Sequence, residues 1–359
     1  MKQTQIPSID LRDLPDGSEA MRLLCDACEE WGFFHIVGHG IDPALHKETL
    51  RQTGEFFSLP SDEKRSIIRT ADNAWGFFDQ ELTKNVRDWK EIFDVGPPET
   101  RGPLAGAVPQ WPESLPGFKA TLRAYTDACE RIARHLLSSI ATILGAAPVE
   151  LVGAFEPEHS SFLRLNYYPL CADPAIPESP TVPEKGHLGI SHHTDAGVLT
   201  VLMQSSVGGL QVKRRGHWHL VEPQDDALVI NIGDIVQVWS NDRYKAPVHR
   251  VVANSDFERY SAAFFFNPSY EASYAPLPSV CDENNPPLYE PINWGEFRAG
   301  RAADDYADLG EEMQISRFRR QEGLLGVHGL LPLTAEPRRE VADDQANDRA
   351  FGYEPERRG

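Results

Sequence analysis

Cysteine is scarce: five residues in 359, at positions 25, 28, 129, 171 and 281. That density, and the odd number, exclude a small scaffold stapled by disulfides. Cys25 and Cys28 form a CxxC, but it lies inside an amphipathic helical run at 21–31, with no second CxxC and no preceding strand. Two cysteines on a helix face are therefore expected rather than a metal or redox pair. Positive charge is also short. Lysine and arginine total 35 against 54 aspartates and glutamates, a net charge of −19. A surface of that sign repels phosphate backbones and anionic lipid, so neither nucleic acid nor a membrane is expected as partner. An anionic small molecule stays admissible, because a pocket can be locally basic. Long apolar runs are missing too. No stretch approaches about 18 uninterrupted apolar residues, and MKQTQIPSIDLRDLP at the start holds no apolar leader segment, so a cytoplasmic protein is expected. No internal repeat is found.

What is present is ordinary globular material, 41% hydrophobic and 25% charged, arranged with clear periods. A short strand is expected at 6–11, a helix through Trp31, and a strand in GFFHIVGHG at 32–40. A second helix opens at Asp42-Pro43 and runs to Phe57, before the terminating Leu59-Pro60. A long helix is predicted within 113–145, where Leu122, Tyr125, Cys129, Ile132, Leu136, Ile140 and Ile143 recur at steps of three or four. From Ser161 the period becomes two. FLRLNYY, VLTVLMQ, LQVKR, WHLVEP, ALVINIG, IVQVWS, HRVVAN and RYSAAFFF read as short strands divided by turn residues. Glycines 208, 209 and 233 are assigned to such turns. The fold class is mainly β with flanking helices, a β-sandwich or jelly-roll core. A Pro-rich loop at 173–185 interrupts it, and 292–325 reads as helical again. The chain divides into an N-terminal region at 1–110, a core with the long helix at 111–325, and a tail at 326–359. That tail is polar and lacks an apolar period beyond Thr334, so it is expected to be disordered.

Chemistry concentrates in Ser191-His192-His193-Thr194-Asp195. Residues two apart on a strand share a face, so His193 and Asp195 project together while His192 turns away. His249, 56 residues after His193, lies in another strand-like run. Two imidazoles and one carboxylate on one face of a divalent metal leave positions open, the arrangement of non-haem Fe(II) oxygenases. An isolated HxD is a weak signal, and its context strengthens it. Arg259 and Ser261 share a face ten residues beyond His249, a pair suited to gripping a carboxylate. Arg164, Asn166 and Tyr168 share another and offer further donors.

These segments, in the order RLNYYP, HHTD, GGLQV, INIGD, WSNDRYKAPVHRV and RYSAAFFFNP, resemble the isopenicillin-N-synthase-like 2-oxoglutarate/Fe(II) oxygenases. IPSIDL, WGFFHIVGHGI, FFSLPSDEK and DWKEIFDVG resemble that family's N-terminal region, and the likeness spans roughly residues 5–320. The resemblance implies a double-stranded β-helix core, with Fe(II) on His193, Asp195 and His249. It also implies 2-oxoglutarate and O₂ as co-substrates, with Arg259, Ser261 and Tyr168 on the distal carboxylate and Asn166 beside it. The expected activity is oxidation of a small molecule of secondary metabolism by hydroxylation, desaturation or ring closure, with release of succinate and CO₂. A same-fold Fe(II) oxidase that does not use 2-oxoglutarate is the alternative, and a non-catalytic β-barrel binding protein is another.

Strand alternation also puts Phe265 and Asn267 on the Arg259 side. With Arg164 they form the expected substrate pocket, and Phe77 and Gln80 are weaker candidates. His217 and His219, two apart but without a carboxylate at suitable spacing, are given structural roles, as are His35 and His39.

Overall fold

The structure, a computed structural model, describes residues 5–14, 18–70, 72–84, 86–98, 102, 105–304 and 313–320. The tail expected at 326–359 lies outside them. In chain order the first part holds β1 (Ser8–Asp10), α1 (Ser18–Glu30), β2 (Phe33–Val37), α2 (Pro43–Phe57) and α3 (Ser61–Ser66). It continues with β3 (Gly76–Phe78), β4 (Leu82–Thr83), β5 (Val86–Arg87) and β6 (Glu91–Val95). Asp42 accepts the Ala44 amide at 2.8 Å and Pro43 occupies the first turn of α2, which sets where that helix begins.

The long α4 (Phe118–Ile143) and short α5 (Pro148–Val152) lead into β7 (Phe162–Tyr168), β8 (Leu188–His193), β9 (Leu199–Gln204), β10 (Leu210–Arg214), β11 (His217–Leu220) and β12 (Leu228–Ile232). Then come α6 (Asp234–Trp239), β13 (His249–Val252), β14 (Arg259–Phe266), β15 (Ser273–Tyr274), β16 (Ile292–Asn293) and α7 (Trp294–Asp304). Among the described residues no helix is long and apolar enough to cross a membrane.

Two sheets make the core. The larger has eight strands in the order β1-β2-β12-β9-β14-β7-β6-β3, the smaller four in the order β11-β10-β13-β8. From β7 to β14 the chain passes back and forth between them, which is the winding of a double-stranded β-helix. Residues 1–110 contribute β1, β2, β6 and β3, so they extend the large sheet on both sides of β12-β9-β14-β7. Alternation divides the two faces of that sheet. Leu163, Leu165, Ala262 and Phe264 point outward into the core built with α4, whose Leu122, Tyr125, Ile132 and Leu136 are buried against them. Each such leucine, isoleucine or phenylalanine contributes about 1.5–3 kcal/mol on full burial. The other face of β7 and β14 carries Phe162, Arg164, Asn166, Tyr168, Arg259, Ser261 and Phe265 into the space between the sheets.

One expected strand is a helix. IVQVWS lies in α6, with Ile235, Val236, Val238 and Trp239 all buried. A six-residue helix covered on every side shows no amphipathic period, and its β-branched residues mimic a strand. Its start is dictated by close packing. A Cβ on Gly233 would collide with the Gly197 carbonyl, so this glycine serves an approach of two backbones rather than a turn. The helix expected across 292–325 is described as α7 and a short 3₁₀ turn, Ile315–Phe318.

Candidate active site

β8 and β13 run antiparallel, and their register sets His193 directly opposite His249. The rings lie 4.2 Å apart between centroids. Asp195 follows β8 by two residues, outside the strand that alternation assumed, yet its side chain still turns to the same point. Asp195 Oδ1 stands 3.6 Å from His193 Nε2 and 3.6 Å from His249 Nε2. The three donor atoms lie within 4.8 Å of one another. His192 is not among them.

Every other polar atom of the three side chains is engaged. His193 Nδ1 donates to the Ser191 carbonyl at 2.8 Å, and His249 Nδ1 donates to the Pro247 carbonyl at 3.1 Å. Carbonyls only accept, so both Nδ1 atoms carry a proton and both Nε2 atoms face the gap. Asp195 Oδ2 accepts from the Thr200 hydroxyl and from Asn231 Nδ2 at 2.7 Å, leaving Oδ1 to face the imidazoles. Burial and the adjacent His249 hold His193 down to about 3, so it is neutral at pH 7. Burial raises the Asp195 carboxyl, but His249, His193 and the two hydrogen bonds outweigh it and keep it ionised. Two imidazole nitrogens and one carboxylate oxygen aimed at one point fit a divalent cation.

Along β7 and β14 the register pairs Arg259 with Tyr168, Ser261 with Asn166, Ala263 with Arg164, and Phe265 with Phe162. Arg259 is 1% exposed, its guanidinium 4.8 Å from the Tyr168 ring centroid. It donates to Gln204 Oε1 at 2.8 Å and to the Ser261 hydroxyl at 3.5 Å, while Nε has no partner. No carboxylate among the described residues pairs with it. An unpaired buried charge is costly, and here burial pulls the guanidinium below its usual value. A ligand bearing a carboxylate fits the charge balance there. Asn166 donates to the Ser261 hydroxyl at 3.3 Å.

Thr200, bonded to Asp195, is paired with Phe265. Phe265 therefore stands level with Thr200 beside the triad, and Arg259 lies six residues away at the other end of β14. Phe265 and Asn267 line the cavity in front of the triad, Phe265 stacked on Phe162 at 4.9 Å. Asn267 spends its side-chain amide on the Ser160 carbonyl, at 3.3 Å.

Arg164 also lines the cavity but is not available to receive an anion. Its Nε and Nη2 meet Asp94 at 2.7 and 2.8 Å, and Nη1 donates to Glu81 at 3.0 Å. Arg69 joins Asp94 at 2.8 Å, and Lys90 joins Glu81 at 2.7 Å and Asp88 at 3.0 Å. Burial opposes ionisation of Glu81, but Arg164, Lys90 and Arg69 prevail. This buried lattice ties β6 to the cavity wall. Asp94→Asn should therefore cost about 3–5 kcal/mol, read by urea unfolding. A loss under about 1 kcal/mol would show that Glu81 alone satisfies both arginines.

The remaining candidates are structural. Phe77 is buried in the core and Gln80 is exposed, neither on the cavity wall. His35 bonds the Glu222 carbonyl, His39 the Asp226 carbonyl, and His219 packs on Trp31 at 5.2 Å. Thr200, Gln204, Asn231 and the acids of the lattice were not anticipated from sequence. Their signal is slight: single polar residues at inward positions of otherwise apolar strands.

Iron(II) is the metal that such an open set of two imidazoles and one carboxylate serves in oxygenases, and an enzyme using a 2-oxoacid brings the missing anion with it. Residues 159–268 match the model of the 2OG-Fe(II) oxygenase superfamily, and residues 6–114 match the model for "non-haem dioxygenase in morphine synthesis N-terminal". The chain is 33% identical over 302 residues to jasmonate-induced oxygenase 4 of Arabidopsis thaliana, covering 82% of this chain and 81% of that one. It is 31% identical over 328 residues to gibberellin 2-beta-dioxygenase 6 of Oryza sativa subsp. japonica, covering 88% and 85%. Among solved structures, JOX2 in complex with 2OG, Fe and JA superposes with a TM-score of 0.71 at 31% identity, covering 82% of this chain and 84% of that one. The dioxygenase for auxin oxidation of rice gives 0.66 at 26% identity, covering 88% and 100%. The chain belongs to the 2OG-Fe(II) oxygenase superfamily. It is a 2-oxoglutarate-dependent non-haem iron dioxygenase acting on a small molecule, with Fe(II) and 2-oxoglutarate as its metal and co-substrate.

Proposed function

We propose that His193, Asp195 and His249 hold the iron, and that Arg259, Ser261 and Tyr168 hold the distal carboxylate of 2-oxoglutarate, with Asn166 beside them. Arg164, Phe265 and Asn267 form the wall against which the substrate lies. The observation that carries this reading is the pairing of a convergent donor set with a buried guanidinium that lacks a carboxylate. Bound Fe(II) supplies the redox chemistry that couples O₂ and 2-oxoglutarate to oxidation of the substrate. The protein's share is positional. The Ser191 and Pro247 carbonyls aim the two imidazoles, and Thr200 and Asn231 aim the carboxylate. Arg259 fixes the far end of the co-substrate, and the aromatic pair Phe162 and Phe265 keeps water from the substrate side.

Anaerobic titration with Fe(II) and then 2-oxoglutarate should give one of each per chain and a visible charge-transfer band. On admission of O₂ with substrate present, oxidised substrate and succinate should form in equal amounts. Substrate oxidation without succinate would instead assign the oxidase chemistry. Phe265→Ala should lower product formed per succinate roughly tenfold while sparing 2-oxoglutarate turnover in the absence of substrate. Equal loss of both would remove Phe265 from the substrate wall.

A cytoplasmic, secondary-metabolic role fits this picture. All five cysteines are free thiols, as a reducing compartment favours, and two of the relatives are named for a flavonoid and for gibberellin. The acidic surface supports a small-molecule partner over nucleic acid or a membrane.

A further inference from the structure

Five cationic side chains line the cavity: Lys90, Arg164, Arg259, Arg298 and Arg301. Two carboxylates share that lining, Glu81 and Asp195. The excess is positive, in a chain whose net charge is −19. Four of the cations have assignments. Lys90 and Arg164 are neutralised by Glu81, Asp88 and Asp94, and Arg259 belongs to the co-substrate end. Arg301 donates to the Thr194 carbonyl at 2.9 Å and so braces the loop that carries Asp195.

Arg298 has no such engagement. It is half-buried and forms no hydrogen bond or ion pair with any described residue, and its guanidinium lies 5.9 Å from the Phe162 ring centroid. Trp294, Arg298 and Arg301 follow one another on α7 at steps of four and three, so one stripe of that helix faces the cavity. Phe162 stacks on Phe265, the residue level with the triad. The cavity thus has guanidinia at both ends of the β7/β14 pair. The inner one is Arg259; the outer one, Arg298, overlooks an aromatic slot beside the metal site.

We propose that the substrate is a monocarboxylate with an apolar body. Its anion is received by Arg298, and its body lies along Phe162 and Phe265 in front of the triad. This rests on the site reading given above. Arg298, rather than Arg164 of the expected substrate pocket, is then the cation that meets the substrate. A planar fork beside an aromatic ring suits a carboxylate, and a half-exposed group loses little solvation on meeting it.

The test is equilibrium dialysis of the full chain, loaded anaerobically with Fe(II) and 2-oxoglutarate. The ligands are phenylacetate, 3-phenylpropanoate, cyclohexaneacetate and naphthalene-1-acetate, each alongside its primary amide. At least one acid should bind roughly tenfold more tightly than its own amide, since a charge-assisted contact is lost in the amide. Arg298→Gln should erase that preference, and Arg298→Lys should restore part of it, with melting temperature checking the fold. No acid surpassing its amide, or a preference that survives in Arg298→Gln, overturns the proposal. Binding of 2-oxoglutarate to the wild-type chain is measured alongside. If that is absent, the co-substrate reading itself fails; if it is normal and the acid preference is missing, only this inference does.

Discussion

Asp195→Ala is expected to abolish turnover and to lower iron affinity by more than roughly a hundredfold, because loss of an outer hydrogen-bond partner alone costs 10–100-fold. His249→Ala and His193→Ala should do the same. The carboxylate matters most. It is the sole anion in the set, and without it two neutral imidazoles face a dication whose charge nothing offsets. The outer partners give a graded control. Asn231→Ala frees one side of Asp195 Oδ2 while Thr200 still holds it, so iron affinity should fall within that 10–100-fold range. Iron content after gel filtration and thermal melts separate ligand loss from unfolding. Should His193→Ala keep iron and activity while His192→Ala loses both, the choice between adjacent histidines would reverse.

Arg259→Ala should weaken 2-oxoglutarate binding at least thirtyfold or so, since removing one partner of a buried charge pair costs about 2–5 kcal/mol. Iron binding should be retained, because Arg259 is not among the three donors that converge on the metal position. Arg259→Lys should recover only part of the affinity: a lysine supplies the charge but not the fork that reaches Gln204 and Ser261 together. Titration of the charge-transfer band measures both variants. Unaltered affinity in Arg259→Ala would place the distal carboxylate on another cation of the cavity.

The sequence was most readable where local pattern and burial agree. FLRLNYY and RYSAAFFF coincide with β7 and β14 residue for residue, because each alternates between a helix-covered face and the cavity. The His193, Asp195, His249 set was visible for the same reason, although Asp195 stands just past its strand. α6 was not visible, since burial on every side hides a helical period. Nor was the lattice around Arg164. Its Nε–Asp94 contact joins residues 70 apart, and strand alternation says which way a side chain points but not what meets it. That is why Arg164 looked free for substrate while Arg298, on a helix after the β-core, drew no notice.

The way residues 1–110 enter the large sheet has a consequence for any attempt to shorten the protein. β2 pairs with β12 and β6 pairs with β7, so the four core strands of that sheet have no bare edge. A chain begun at residue 111 would expose a row of unpaired amides and carbonyls along both β12 and β7, flanked by side chains meant for the interior. Such rows template pairing with other chains. The truncated core is expected to aggregate rather than merely lose activity, which light scattering at micromolar concentration would register. The N-terminal strands are thus expected to act as edge guards of the catalytic barrel as well as parts of its wall.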